Sequence, residues 1–158
     1  MLRTYTRLIF LLRPSVVVVF DDLVSPDGVS VSWLLHTLSS PEVEADRLKI
    51  HRGTAALEVR LFTTLDDLSF SFTDRHGIDP NEGEPTELHR HQSPQYHLTW
   101  ETGVSSRRRF LGVMTVNGAE ALIKKTDTCV RVTYEDQSLE VQLDPGTTSF
   151  GRLNGQPF

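Results

Sequence analysis

Residues 4–24 read TYTRLIFLLRPSVVVVFDDLV, two apolar runs separated by Arg13-Pro14-Ser15. Both runs are rich in β-branched and aromatic residues, which fit a pleated, half-buried surface. Residues 4–12 are expected to form a first strand. Pro14 removes a ladder donor and restricts the residue before it, so the strand breaks there. Residues 16–24 are expected to form a second strand, and Val16-Val17-Val18-Val19-Phe20 reads as one buried on both faces. The basic start followed by apolar runs superficially resembles an export signal. Against that, Arg13-Pro14 cuts the apolar stretch, and Asp21-Asp22 stands where small cleavage-site residues belong. Within these first 20 residues the longest uncharged run, residues 14–20, is far short of the roughly 20 residues of a membrane helix, so no membrane span is expected there.

The same strand signature recurs along the chain. Ser25-Pro26-Asp27-Gly28 reads as a turn. In residues 29–38, Val29, Val31, Trp33 and Leu35 alternate. Residues 39–46 read as a loop. Strands follow at 48–51 and 55–62, the second with Leu57, Val59 and Leu61 on one face. Residues 68–73 alternate as well. Residues 74–94 hold three prolines, two glycines and His89-Arg90-His91 without apolar periodicity, a length of loop that is uncommon inside a domain. Strands resume at 96–101 and 108–116, and Asn117-Gly118 marks a turn. Residues 119–125 read equally as one helical turn or a short strand. Residues 129–134 and 139–143 form a hairpin. The expected fold is therefore all-β, a two-layer antiparallel β-sandwich of about ten strands with little or no helix. The 158 residues suit one domain over 1–145, with 146–158 as a loose, glycine-rich tail.

Composition narrows the functional classes. The net charge of −5 argues against a duplex nucleic-acid binder, which needs a positive surface. The single cysteine, Cys129, excludes an intrachain disulfide and a cysteine-rich zinc site. The sequence contains no dinucleotide or phosphate-loop glycine motif, nucleophile elbow, HExxH pair or EF-hand loop, and no cofactor is expected.

Several residues still carry chemistry worth weighing. His89 and His91 share a face if extended, and His97 could complete a three-imidazole zinc site; Arg90 opposes a cation there, and a solvated polar loop is the plainer reading. His36 reads as a capping or packing histidine. Tyr96 and His97 suggest an acid–base pair, yet neighbours on a strand face opposite sides. Asp21-Asp22 and Asp66-Asp67 diverge in the same way and suit turn hydrogen bonds. Arg107, Arg108 and Arg109 match the bidentate recognition of carboxylate or sulfate, or else mark a strand entry with packed stems. Trp33, Trp100 and Tyr96 offer rings for stacking on sugars; core packing is the alternative for the tryptophans.

The order of landmarks resembles a known family. Arg7-Leu8-Ile9-Phe10-Leu11-Leu12-Arg13-Pro14, then Val16-Val17-Val18-Val19-Phe20-Asp21-Asp22-Leu23, then Val31-Ser32-Trp33-Leu34-Leu35-His36-Thr37 resemble successive strands of the heparinase II/III-like polysaccharide lyases. Residues 56–62 and Arg109-Phe110-Leu111-Gly112-Val113-Met114 resemble later strands, so the likeness spans residues 5–117. It implies a β-sandwich that follows an α/α-toroid in enzymes cleaving uronic-acid polysaccharides by β-elimination, in a family often exported or periplasmic. The family's catalytic residues lie largely on the toroid. His76-Gly77-Ile78-Asp79 has the letters of a family H-x-x-D motif but falls after the R-x-x-P strand instead of before it, so no catalytic or metal role is carried onto it. The expectation is a non-catalytic C-terminal accessory domain, with no enzyme activity of its own. Its partners would be the catalytic domains of the parent lyase and an acidic polysaccharide. Two alternatives stand beside it. One is a carbohydrate-binding module using Arg107, Arg108, Arg109, Trp100 and Tyr96. The other is a small metalloenzyme built on His89, His91 and His97.

Overall fold

The computed structural model describes residues 2–44, 47–65, 67–74 and 95–158. Every regular element among them is a strand. β1 (Thr4–Leu12) and β2 (Val16–Val29) form the opening hairpin, closed by the Leu12–Val16 pair around a cis Arg13–Pro14 bond. β2 runs through the expected turn at 25–28. Val24 pairs with Arg107 and Val29 with Ser105, so the Pro26-Asp27-Gly28 stretch is a bulge within one long strand and no chain reversal. β3 (Ser32–Thr37) follows.

β4 (Pro41–Glu44) occupies the stretch expected to be a loop, and pairs with β5 (Arg47–Arg52). Pro41 and Val43 stand opposite Ile50 and Leu48, and Glu44 accepts hydrogen bonds from Arg47 and Lys49 of β5. Cross-strand ion pairs add support to a strand with only two apolar residues. β6 (Ala55–Thr63), β7 (Ser69–Thr73), β8 (Tyr96–Glu101) and β9 (Ser105–Val116) lie close to their expected positions. β10 (Leu122–Lys125) resolves the helix-or-strand ambiguity as strand. β11 (Cys129–Tyr134) and β12 (Gln137–Gln142) form the expected hairpin.

The segment expected to be a loose tail carries β13 (Gly151–Leu153) and β14 (Gln156–Pro157). β13 pairs with β12, and Asn154-Gly155 turns the chain with both residues at positive φ. Asn-Gly is the strongest short hairpin signal, and it was present in the sequence. The glycines around it concealed strands of only three and two residues.

The strands assemble into three antiparallel sheets, with orders β1-β2-β9-β6-β5-β4, β10-β11-β12-β13-β14 and β3-β8-β7. The chain is all-β, antiparallel and sandwich-like as expected, but the described residues form fourteen strands in three layers where two layers of about ten strands were expected, because the six-stranded sheet is packed on both faces. Val16, Val18 and Phe20 of β2 and Leu111 and Val113 of β9 point to one side. There they meet Val130, Val132, Leu139 and Val141 of the five-stranded sheet. Leu23 and Phe110 have the opposite parity and meet Trp33, Leu98 and Trp100 of the three-stranded sheet. This explains the unbroken apolar run of β2: strand residues alternate faces, and both faces are buried. Gly112 sits where a side chain would strike the Trp33 ring, 3.2 Å from its would-be Cβ. Its absence of side chain lets the small sheet approach the central one.

Candidate functional site

Polar residues buried inside this sandwich are organised around two aspartates that neighbour each other on β2 and face opposite ways. Asp21, 2% exposed, lies on the side of the three-stranded sheet. It accepts two hydrogen bonds from Arg7, at 2.6 and 2.8 Å, one from the Tyr5 hydroxyl at 3.0 Å and one from Trp33 Nε1 at 3.2 Å. Burial, the Asp21 charge and this hydrogen bond together push the Tyr5 phenol up. Asp22 lies on the other side and accepts from Arg107 at 2.9 and 3.2 Å and from Arg109 at 3.1 Å. Burial alone would raise the Asp22 carboxyl, but the hydrogen bonds and charges of the two guanidiniums outweigh it and hold it below the usual carboxylate range.

Arg109 is wholly buried. Its Nη groups donate to the carbonyls of Gln142, Asp144 and Thr147, and its guanidinium lies 5.4 Å from the Phe150 ring centre. Arg108 points to the opposite face, where it makes two hydrogen bonds with Asp67 and a third with the Gly103 carbonyl. Asp67 also accepts the Gly103 amide.

The structure separates the residues of the expected sugar-reading set. Arg107 and Arg109 face one side of the central sheet and Arg108 the other, and all three are engaged by carboxylates and carbonyls of the chain itself. Trp100 is 9% exposed and packs edge-on against Trp33, ring centres 5.5 Å apart. Tyr96 is half-buried against the same core. Arg107–Arg109, Trp100 and Tyr96 therefore do not form one surface. The reason is strand parity on β9: the pairing with β2 brings Arg107 and Arg109 to Asp22, while Arg108 turns to the other face and meets Asp67, just before β7. Asp21 and Asp22 likewise serve as ion-pair partners in mid-strand and are not turn residues.

His97 does meet another histidine, but not one of those expected. β3 and β8 place His36 and His97 directly opposite, with His36 Nε2 and His97 Nδ1 3.0 Å apart. His89 and His91 lie outside the described residues. Among the described residues no group of three or more histidine, cysteine or acidic side chains converges to hold a metal. Tyr96 points inward and His97 outward, so the two do not converge on one substrate.

Two clefts flank this framework. One, of about 320 Å³, is lined by Tyr5, Arg7, Trp33 and Leu34, and Tyr5 and Leu34 are each 50% exposed. The other, of about 480 Å³, lies beside the ends of β3 and β5–β6, with Ile50, Leu57 and Val116 as apolar lining and His36, Ser39 and Arg52 as polar lining. No family model matches this sequence, and no curated protein is significantly similar to it.

Tyr5 and Arg7 do not stand out as site residues in the sequence because they sit in a strand pattern dominated by apolar residues. The signal that would have found them is parity: on β1, Leu8, Phe10 and Leu12 turn inward, which sends Tyr5, Arg7, Ile9 and Leu11 to the other face.

Proposed function

We propose that the chain is a non-catalytic β-sandwich domain that supports the catalytic domains of a heparinase II/III-like polysaccharide lyase, an enzyme type that cleaves uronic-acid polysaccharides by β-elimination. One observation carries the reading. Arg7, Asp21 and Trp33, landmarks of the resemblance on three successive strands, converge on a single buried carboxylate. The residues that give the sequence its family likeness are thus engaged in tying β1, β2 and β3 together. That is what an accessory sandwich requires of them. Ile9 and Leu11, 67% and 56% exposed, give β1 an apolar face for contact with the larger enzyme.

Two measurements test this. The genomic sequence upstream of Met1 is expected to encode an α/α-toroid in frame; a gene without one argues against the reading. The purified chain, incubated with heparin, heparan sulfate or alginate, is expected to produce no growth in absorbance at the unsaturated-uronate band. Sustained turnover overturns the assignment.

A second reading, a carbohydrate-binding module, is favoured by the cleft at Tyr5 and Arg7, where a ring and an arginine side chain that is 47% exposed border the same space. Affinity electrophoresis in heparin and in a neutral glucan separates the two. Retardation by heparin that is lost in Tyr5→Ala selects the binding module.

A further inference from the structure

We propose that His36 and His97 form a two-imidazole site for a divalent transition-metal ion on the outer face of the three-stranded sheet. This goes beyond the accessory-domain reading and does not rest on it. The two residues are a directly paired, cross-strand couple on β3 and β8, so their Cβ atoms are held at a distance set by the sheet and not by flexible loops. The ring centres stand 4.5 Å apart. The facing nitrogens, Nε2 of His36 and Nδ1 of His97, are 3.0 Å apart. Two imidazole nitrogens bound at about 2.0–2.1 Å to one ion are separated by roughly 2.9 Å at a right angle and roughly 3.3 Å at the tetrahedral angle. The observed spacing falls in that range.

In the metal-free pair one ring donates its N–H to the other. Binding requires that ring to carry its proton on the far nitrogen: Nδ1 of His36, Nε2 of His97. Exchange with solvent accomplishes this, and two neutral rings then release no net proton. Small rotations about the Cβ–Cγ bonds aim both lone pairs at a common point. The pair is solvent-exposed, so an ion reaches it from outside the sheet. Imidazole nitrogen selects zinc, nickel or copper over calcium and magnesium, which prefer oxygen.

The test is titration calorimetry of the chelator-stripped full chain with zinc chloride and nickel chloride. Four variants are compared: His36→Ala, His97→Ala, His51→Ala as an exposed control on β5, and the double variant His89→Ala/His91→Ala. One ion per chain is expected. Removing even an outer-shell partner of a ligand costs about 10–100-fold in affinity. Losing His36 or His97 is therefore expected to weaken binding at least about tenfold, while the control and the double variant bind as the parent does. Far-UV circular dichroism checks that each variant folds. On the unmodified chain, zinc is expected to shift the imidazole NMR signals of His36 and His97 and not that of His51. No binding by the parent chain overturns the proposal. So does parental affinity in His36→Ala, or loss of binding in the double variant.

Discussion

Asp22 and Arg109 show how much a single buried charge demands of its surroundings. Arg109 is fully enclosed, and its only carboxylate partner among the described residues is Asp22. Removing one partner of a buried pair leaves the other charge uncompensated, which costs about 3–5 kcal/mol. Asp22→Ala is expected to lower stability by that amount in urea unfolding; a change below about 1 kcal/mol would mean that the backbone carbonyls suffice. The same contact sets an acid limit. The folded Asp22 carboxyl titrates below its unfolded counterpart, so unfolding takes up a proton. Its stabilisation is complete above the unfolded value of about 3.9 and is lost as pH falls through the lower folded value. The unfolding midpoint of the parent chain is therefore expected to drop more steeply below about pH 4 than that of Asp22→Asn. Cys129 belongs at this scale as well. Burial, and secondarily the Glu140 charge, push its thiol up, so less of the reactive thiolate is present near neutral pH. Thiol labelling of the folded chain is expected to be slower than that of the urea-unfolded chain.

Among the elements, β13 depends on one residue. A Cβ on Gly151 would stand 2.0 Å from the Glu140 carbonyl oxygen and 2.9 Å from the Phe158 ring. The first contact is with the backbone of β12, so it cannot be relieved by a rotamer change. Gly151→Ala is expected to separate β13 and β14 from the sheet, seen as loss of hydrogen-exchange protection on β12 and β13 with β1, β2 and β9 still protected. The other elements differ in how plainly the sequence announces them. β1, β8 and β11 are bounded where their alternation begins and ends, because each carries a clean apolar face. β4 does not: it has only four residues, two of them glutamates that face Lys49 and Arg47 of β5, and Pro41 and Val43 are too short a pattern to stand out. The bulge in β2 reads as a turn in the sequence because Pro-Asp-Gly has the same local preferences in both settings. Only the pairing with β9 on either side of it distinguishes the two.

At the scale of the molecule, the segment after residue 145 extends the five-stranded sheet and packs against the core. It supplies the Thr147 carbonyl to Arg109, the Phe150 ring beneath the guanidinium, and Leu153 and Phe158 to the core. Full burial of an apolar side chain contributes about 1.5–3 kcal/mol; these three are partly buried and contribute less each, and a lost acceptor of a buried donor costs about 1–3 kcal/mol more. Together they are a large part of a typical domain stability of about 5–15 kcal/mol. Deletion of 146–158 is expected to leave a chain that is insoluble or unfolds at far lower denaturant concentration. An unchanged midpoint would return the segment to the status of a loose tail.

Local pattern determined the strand character of this protein, and with it the all-β class. Side-chain alternation is written in adjacent residues and needs no partner to be read. What the tertiary structure alone decided is which strands pair and what becomes of the polar residues between the apolar ones. Asp22 and Arg109 are 87 positions apart, and His36 and His97 are 61 apart. Their encounters depend on sheet order, and sheet order is set by the packing of two opposite faces at once. That is why three adjacent arginines looked like a surface for anions in the sequence, and are core and rim ion pairs in the fold. It is also why two histidines with unrelated sequence surroundings became a facing pair.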